Sequence, residues 1–223
     1  NQGLARGYLL QENVLTSIDF PGATETSVTD ISDDGQIIGN YVDTGGALRG
    51  FLFPDRRYTP IDIPDADYIQ ALGIGGSGRL VGFYVDRELV GHGFVWEQSI
   101  VTTFDHPNAS FNTALYDMNS RDDLVGFHDG REGNSFAVRG GRPRSLKLPS
   151  FALDARITGI NDQRQMVGEY FDETGRFFGF FWRKPAYDRN LGDDTRSLEG
   201  ESLARDDRRS RDSTKRPWFL ELP

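Results

Sequence analysis

Three histidines, a regular set of acids and a recurring set of aromatics are the groups in this chain that could do chemistry. The histidines are His92, His106 and His128. No two have the i, i+4 spacing that sets a pair of imidazoles on one helix face for zinc. The acids are more regular. Asp19, Asp62 and Asp105 hold one repeated place, as do Asp43, Asp86 and Asp172, with Asp129 one place early. An Asp at a strand end caps the following turn with its oxygens. The same oxygens would suit Ca²⁺, and a carboxylate pair at the right separation cleaves glycosidic bonds. Turn capping is the default reading, because a residue repeated in every unit usually solves that unit's own problem.

More telling are places where the repeat departs from itself. Two residues after a recurring Gly stand Tyr41, Tyr84, His128 and Tyr170; one residue after it stand Asn40, Phe83, Phe127 and Glu169. Trp96 and Trp182 share another position. Aromatic faces beside acids suit sugar rings, and they suit the core between packed sheets equally well. Asn40, Tyr41, Phe83, Tyr84, Phe127, His128, Glu169, Tyr170, Trp96 and Trp182 are therefore the candidate ligand-binding residues. His128 and Glu169 are the candidates for acid–base work. There is no nucleophile elbow, Walker loop or dinucleotide fingerprint. With no Cys in the chain, disulfides, thiolate catalysis and Cys-based zinc sites are excluded. No metal site or other cofactor is expected, Ca²⁺ being the one cation to keep in view.

The elements that must position these residues follow from a repeat. A Gly or Ser before an aromatic recurs at Tyr8, Phe51, Phe94, Phe136 and Phe180, in steps of 43, 43, 42 and 44. An apolar residue, usually an acid, any residue and then Pro recurs at Pro21, Pro64, Pro107 and Pro149. The gap from aromatic to Pro is 13 residues in all four copies. A branched apolar residue before Gly recurs at Gly39, Gly82, Gly126 and Gly168. Each period holds two hairpins with Asp-, Asn-, Ser- or Gly-rich turns. Four antiparallel strands in about 40 to 50 residues make one propeller blade. Pairs such as Leu80-Val81 place bulk on both faces of the sheet, so blades must stack on neighbours. The expected fold is all-β, a β-propeller of four-stranded antiparallel blades. Counting favours five blades over four, because Leu220-Glu221-Leu222-Pro223 repeats the Pro marker once more.

The expected domain is a single propeller over 1–184 and 217–223, interrupted at 185–216 by a charged, disordered insert. That insert carries 8 acidic and 8 basic residues, so the repeat body holds the whole net charge of −9. Such a body repels nucleic acid and anionic lipid. No apolar run nears the ~20 residues that span a bilayer, so neither nucleic-acid partners nor membrane insertion is expected. The first residues, Asn1 to Arg6, lack a signal-peptide pattern, which fits a cytosolic chain or a trimmed secreted one.

Ile31-Ser32-Asp33-Asp34-Gly35-Gln36-Ile37-Ile38-Gly39-Asn40-Tyr41, the segment Asp19-Phe20-Pro21-Gly22-Ala23-Thr24-Glu25-Thr26 and Gly91-His92-Gly93-Phe94 together carry a resemblance. They resemble the HAF-type probable extracellular repeat of bacteria, over most of residues 3–182. Lys147 and Ser135 depart from its pattern. The resemblance implies an extracellular or periplasmic, propeller-like β protein, and carries no catalytic residues with it. The expected function is extracellular binding or scaffolding, with a glycan or other polar ligand held between blades or at the axial mouth. The alternatives are a hydrolase or lyase with a carboxylate/His site, and a protein-binding scaffold that uses the charged insert.

Overall fold

A computed structural model of the protein describes residues 5–76, 78–130, 134–146, 154–171 and 174–183. Among them there are strands and turns and no helix. The chain folds as antiparallel meanders in order. A two-stranded sheet, β1 (Gly7–Gln11) and β2 (Val14–Ile18), comes first. The second sheet is β3 (Glu25–Ile31), β4 (Ile37–Val42), β5 (Leu48–Phe53) and β6 (Thr59–Pro60). The third is β7 (Ala66–Ile74), β8 (Leu80–Asp86), β9 (Gly91–Glu97) and β10 (Ile100–Phe104). The fourth is β11 (Thr113–Met118), β12 (Leu124–His128), β13 (Ser135–Arg139) and β14 (Arg142–Ser145). The fifth is β15 (Asp154–Ile160), β16 (Met166–Phe171) and β17 (Phe177–Trp182).

The result is a propeller arrangement of four blades, with β1–β2 as a half-blade beside the first. The count that favours five blades is thus met by four and that hairpin. The residues expected to mark a further copy, Leu220 to Pro223, lie outside the described residues, as does the charged segment 185–216. The repeat markers map onto strand pairing. Each recurring aromatic on the third strand of a blade faces the recurring Gly on the second: Phe51 opposite Gly39, Phe94 opposite Gly82, Phe136 opposite Gly126 and Phe180 opposite Gly168.

Stacking explains the double-faced strands. Ile37 packs with Phe51 toward the half-blade, and its neighbour Ile38 packs into the cluster shared by the first and second blades. Leu80 and Val81 divide in the same way between two neighbouring interfaces, as do Leu124 and Val125. Met166 joins the cluster between the third and fourth blades, whereas Val167 is 47% exposed, with no further described blade beside it. The recurring Gly is steric. A Cβ on Gly82 would lie 2.0 Å from the Gln70 carbonyl oxygen and 3.0 Å from the Phe94 ring. No side chain fits there, because the partner strand and the aromatic of the next strand already fill the space.

Candidate functional site

The innermost strands β3, β7, β11 and β15 end at one place. Each carries a register shift just before its last residues: Val28/Asp30, Ala71/Gly73, Leu115/Asp117 and Ile157/Gly159. A bulge of this kind re-aims the side chain that follows it. Here it re-aims Asp30, Gly73, Asp117 and Gly159, four equivalent positions that alternate Asp and Gly around the axis. The turns after these strands close over a cavity of about 380 Å³. Its lining draws on all four blades and includes Asp30, Asp33, Asp117 and Asp162, with Ser120 and Asn161, and it contains no Lys or Arg.

The two inner carboxylates also hold blades together. Asp30 Oδ2 accepts from the Ile74 N–H at 2.9 Å, joining the first blade to the second. Asp117 Oδ2 accepts from the Ile160 N–H at 2.8 Å, joining the third to the fourth. Each also caps its own strand, at Ile31 N–H and Met118 N–H. Between the second and third blades no such bond is needed, because Gly73 lets the backbones meet: a Cβ there would lie 2.7 Å from Asp117 Cα. Burial pushes the Asp117 carboxyl up to about 6; the backbone N–H groups oppose this, and the negative charge of Asp30 adds to it.

The rim is built by turn chemistry. Asn119 Oδ1 accepts from the Arg121 and Asp123 N–H groups, and Asn161 Oδ1 accepts from the Gln165 N–H. Asp162 Oδ1 accepts from the Ser120 N–H at 2.9 Å, and hydrogen bonding from the Ser120 side chain, then from that N–H, holds its carboxyl below the ordinary value. Asp33 is exposed at the rim.

None of the ten residues singled out as candidate ligand-binding groups lines this mouth. Most of them sit on the second strands, one blade apart around the circumference, where the structure gives all but Glu169 a packing role. Asn40 is buried and clips the first blade to the second, its Nδ2 donating to the Ala71 carbonyl at 3.0 Å and its Oδ1 accepting from the Ala71 N–H at 2.8 Å. Tyr41 stacks on Phe20 with ring centroids 3.7 Å apart. Phe83 lies 5.4 Å from the Tyr68 ring, and Phe127 lies under the Arg156 guanidinium. Tyr84 stacks on His92, and its hydroxyl is 3.1 Å from Thr103 Oγ1. Tyr170 stacks on Phe178. Trp96 is core, and Trp182 packs against the cluster of the third and fourth blades.

The two residues considered for acid–base work are also apart. Glu169 is half-buried on β16, in register with Arg156 on β15. His128 is buried and stacks on His106 at 4.0 Å and 6° between ring planes. Its departure from Tyr is matched by a second one: His106 precedes Pro107 as Phe20 precedes Pro21. The His106–His128 stack thus replaces the Phe20–Tyr41 stack of the first blade. Both imidazoles use Nδ1 as an acceptor, from Asn108 N–H and Gly130 N–H. Burial, with the neighbouring His128, pushes His106 down to about 4.

Of the repeated acids, Asp43 and Asp86 behave as caps. Asp43 Oδ1 accepts from the Gly45 and Ala47 N–H groups, and Asp86 Oδ1 from Glu88 and Val90. Asp129, one place early, reaches instead across to the Ser110 and Phe111 N–H groups. Asp172 lies outside the described residues. His92 sits between Asp86 and Asp105, its ring nitrogens 3.1 and 2.9 Å from their oxygens. Among the described residues no group of three or more His, Asp or Glu is placed to hold a metal ion.

No family model matches the chain, and no curated protein matches it. Among solved structures it is similar to a streptogramin B lyase, with 14% identity and a TM-score of 0.47, over 79% of this chain and 60% of that one. It is also similar to a catalytically inactive virginiamycin B lyase from Staphylococcus aureus with quinupristin, with 15% identity and a TM-score of 0.40, over 79% and 61%. The chain thus spans about 60% of the length of the solved structures it matches.

Proposed function

We propose that this protein is an extracellular binding module that takes a polar ligand, rich in hydroxyls or positively charged, at the axial mouth. The observation that carries the reading is the cavity where four blades converge on Asp30, Asp33, Asp117 and Asp162 with no basic side chain. Carboxylates accept hydrogen bonds from sugar hydroxyls and attract ammonium or metal cations, and they repel phosphates. The extracellular setting rests on the repeat resemblance. Calorimetric titration with neutral oligosaccharides, with a polyamine and with Ca²⁺ tests it, alongside Asp33→Asn/Asp162→Asn. Asn at 162 keeps an oxygen for the Ser120 N–H, so the rim stays built. Saturable heat in one arm, weakened at least tenfold in the double variant, supports the reading; binding that ignores the double variant, or no heat in any arm, refutes it.

A second reading, a hydrolase or lyase, is favoured by Asp117. A carboxyl pushed up to about 6 beside a second acid is the arrangement used to divide acid and base roles. Both oxygens of Asp117 already accept backbone N–H groups, which is why binding is placed first. His128 and Glu169 lie away from the mouth and take no part in either reading.

A further inference from the structure

We propose that the mouth-side end of the interface between the third and fourth blades is an anion site, in which Arg139, Arg142, Arg144 and Arg164 hold a phosphate- or sulfate-type oxyanion. The register sets three of them on one face. Arg139 on β13 faces Arg142 on β14, and Ala137 faces Arg144. Residues paired across two strands share a face, and alternate residues along a strand return to it. That face looks to the fourth blade: Ala137 packs with Ile157 and Met166, and the Ser135 hydroxyl donates to the Ala155 carbonyl. Arg164 arrives from the turn between β15 and β16, its Nε 2.6 Å from Asp123 Oδ2. None of the four lines the axial cavity.

The neighbouring interface shows what sets this one apart. Between the second and third blades the same three places hold Glu97, Arg79 and Asp122. Glu97 stands three residues after Phe94, as Arg139 stands after Phe136. Arg79 and Asp123 each precede the second strand of their blade. Asp122 and Arg164 hold the positive-φ place in their turns, at 60° and 63°. There Arg79 is central and ion-pairs with both acids, at 3.3 Å to Glu97 and 2.5 Å to Asp122. Between the third and fourth blades every sign is reversed, so one carboxylate stands between two guanidiniums. Asp123 Oδ2 accepts from Arg164 and from the Asn119 side chain, whereas the buried Arg139 Nε has no hydrogen-bond partner among the described residues. Ile100 and Thr102 stand in the second blade where Arg142 and Arg144 stand in the third.

Four guanidiniums around one carboxylate give this end of the interface a local excess of three positive charges, in a chain whose net charge is −9. Burial lowers the Arg139 pKa, and the like charges of Arg164 and Arg144 add to this while Asp123 opposes it. An arginine fork binds oxyanions bidentately. These forks come from two strands of one blade and from a turn of the next. Approach from several directions suits a tetrahedral group better than a planar carboxylate, and a divalent anion would offset most of the excess charge.

The test is calorimetric titration of the full chain with inorganic phosphate, glycerol phosphate and acetate, at an ionic strength held constant with chloride because screening weakens such a site. The first reports the bare anion, the second an anion carried on a polyol and the third a planar carboxylate. Saturable heat with at least one phosphate is expected. Its affinity should fall at least tenfold in Arg139→Gln/Arg144→Gln and stay unchanged in Arg87→Gln, which alters an exposed arginine paired with Asp65. The same phosphate should raise the unfolding midpoint of the wild type and leave that of the double variant where it is. Acetate binding as tight as phosphate, phosphate binding that ignores the double variant, or no saturable binding overturns the proposal. The last is the result if an acidic side chain of residues 184–223 already holds these arginines.

Discussion

Asp117 gives the sharpest check on the axial mouth. Its carboxyl is pushed from 3.8 to about 6, chiefly by burial. A carboxyl whose folded pKa is raised takes up its proton more readily in the folded state. Between pH 3.8 and about 6 the native protein therefore binds more protons than the unfolded chain at this site, and stability from this group falls as pH rises. A shift of that size corresponds to about 3 kcal/mol. This is an upper value, because the side chain is half-buried and water screens part of the cost. Asp117→Asn removes the titration. It keeps one oxygen as an acceptor and turns an amide N–H₂ toward Met118 or Ile160, at a cost of about 1–3 kcal/mol, and that cost does not change with pH. The assay is urea unfolding at pH 4 and pH 7 for both proteins. The wild-type change from pH 4 to pH 7 should be more unfavourable than the variant's by up to about 2 kcal/mol. Caps such as Asp43, Asp86 and Asp162, whose pKa values are held low, act equally in both and cancel. Equal pH dependence in the two proteins would show that Asp117 is not held in the environment described.

Gly82→Ala should destabilise by at least ~3 kcal/mol in urea unfolding, since its Cβ meets a ladder carbonyl at 2.0 Å, while Gly179→Ala, whose nearest neighbour is 3.9 Å away, should be tolerated. His106 is buried neutral, so its contribution is present above 6.5 and is lost as pH falls toward about 4; His106→Phe, which restores the residue type of Phe20, should reduce unfolding between pH 6.5 and 4. His92 is shifted the other way: the hydrogen bonds and charges of Asp86 and Asp105 outweigh burial and raise it above 6.5. Its stabilisation is complete below 6.5 and fades as pH rises through the folded value, so NMR titration should find an elevated pKa that drops in Asp105→Asn. Asn40→Leu leaves the Ala71 N–H buried without its partner, while the Ala71 carbonyl keeps the Thr29 hydroxyl, and should cost about 1–3 kcal/mol, measured as a fall in the urea midpoint.

The architecture was legible because it is enforced four times over. The aromatic, the Gly and the Pro recur in fixed phase since each blade must solve the same steric problem; the Gly82–Phe94 contact is one instance of it. Adjacent apolar residues announced stacking on both faces, and Ile37 and Ile38 do divide between two interfaces. The Asp43 and Asp86 turn caps were equally readable. The mouth was not. Asp30 and Asp117 sit where Gly73 and Gly159 stand in alternate blades, a departure as plain as that at His128, yet their meaning depends on a bulge that only the strand register reveals. His128 misled for the opposite reason: its partner in the departure, His106, lies 22 residues away in sequence and 4.0 Å away in space.

Distance from the axis decides which departures can act together. Equivalent positions on the second strands are spread around the circumference: Asn40 and Phe127 meet the next blade at Ala71 and Arg156, whereas Phe83 lies against Tyr68 of its own blade. Equivalent positions at the ends of the innermost strands converge, and there one cavity is lined from Asp30, Asp117, Asn161 and their neighbours at once. Symmetry alone would make that mouth uniform. The alternation of Asp with Gly breaks it: two blades supply a carboxylate, and the two between them make room. Those carboxylates are also the bonds from one blade to the next, so a ligand that draws on Asp30 or Asp117 competes with the Ile74 and Ile160 N–H groups for the same oxygens. On the proposed reading, binding at the mouth and cohesion of the blades would therefore be coupled through two side chains. Occupancy of the site should change amide exchange at Ile74 and Ile160 before it changes anything at the rim of the fold.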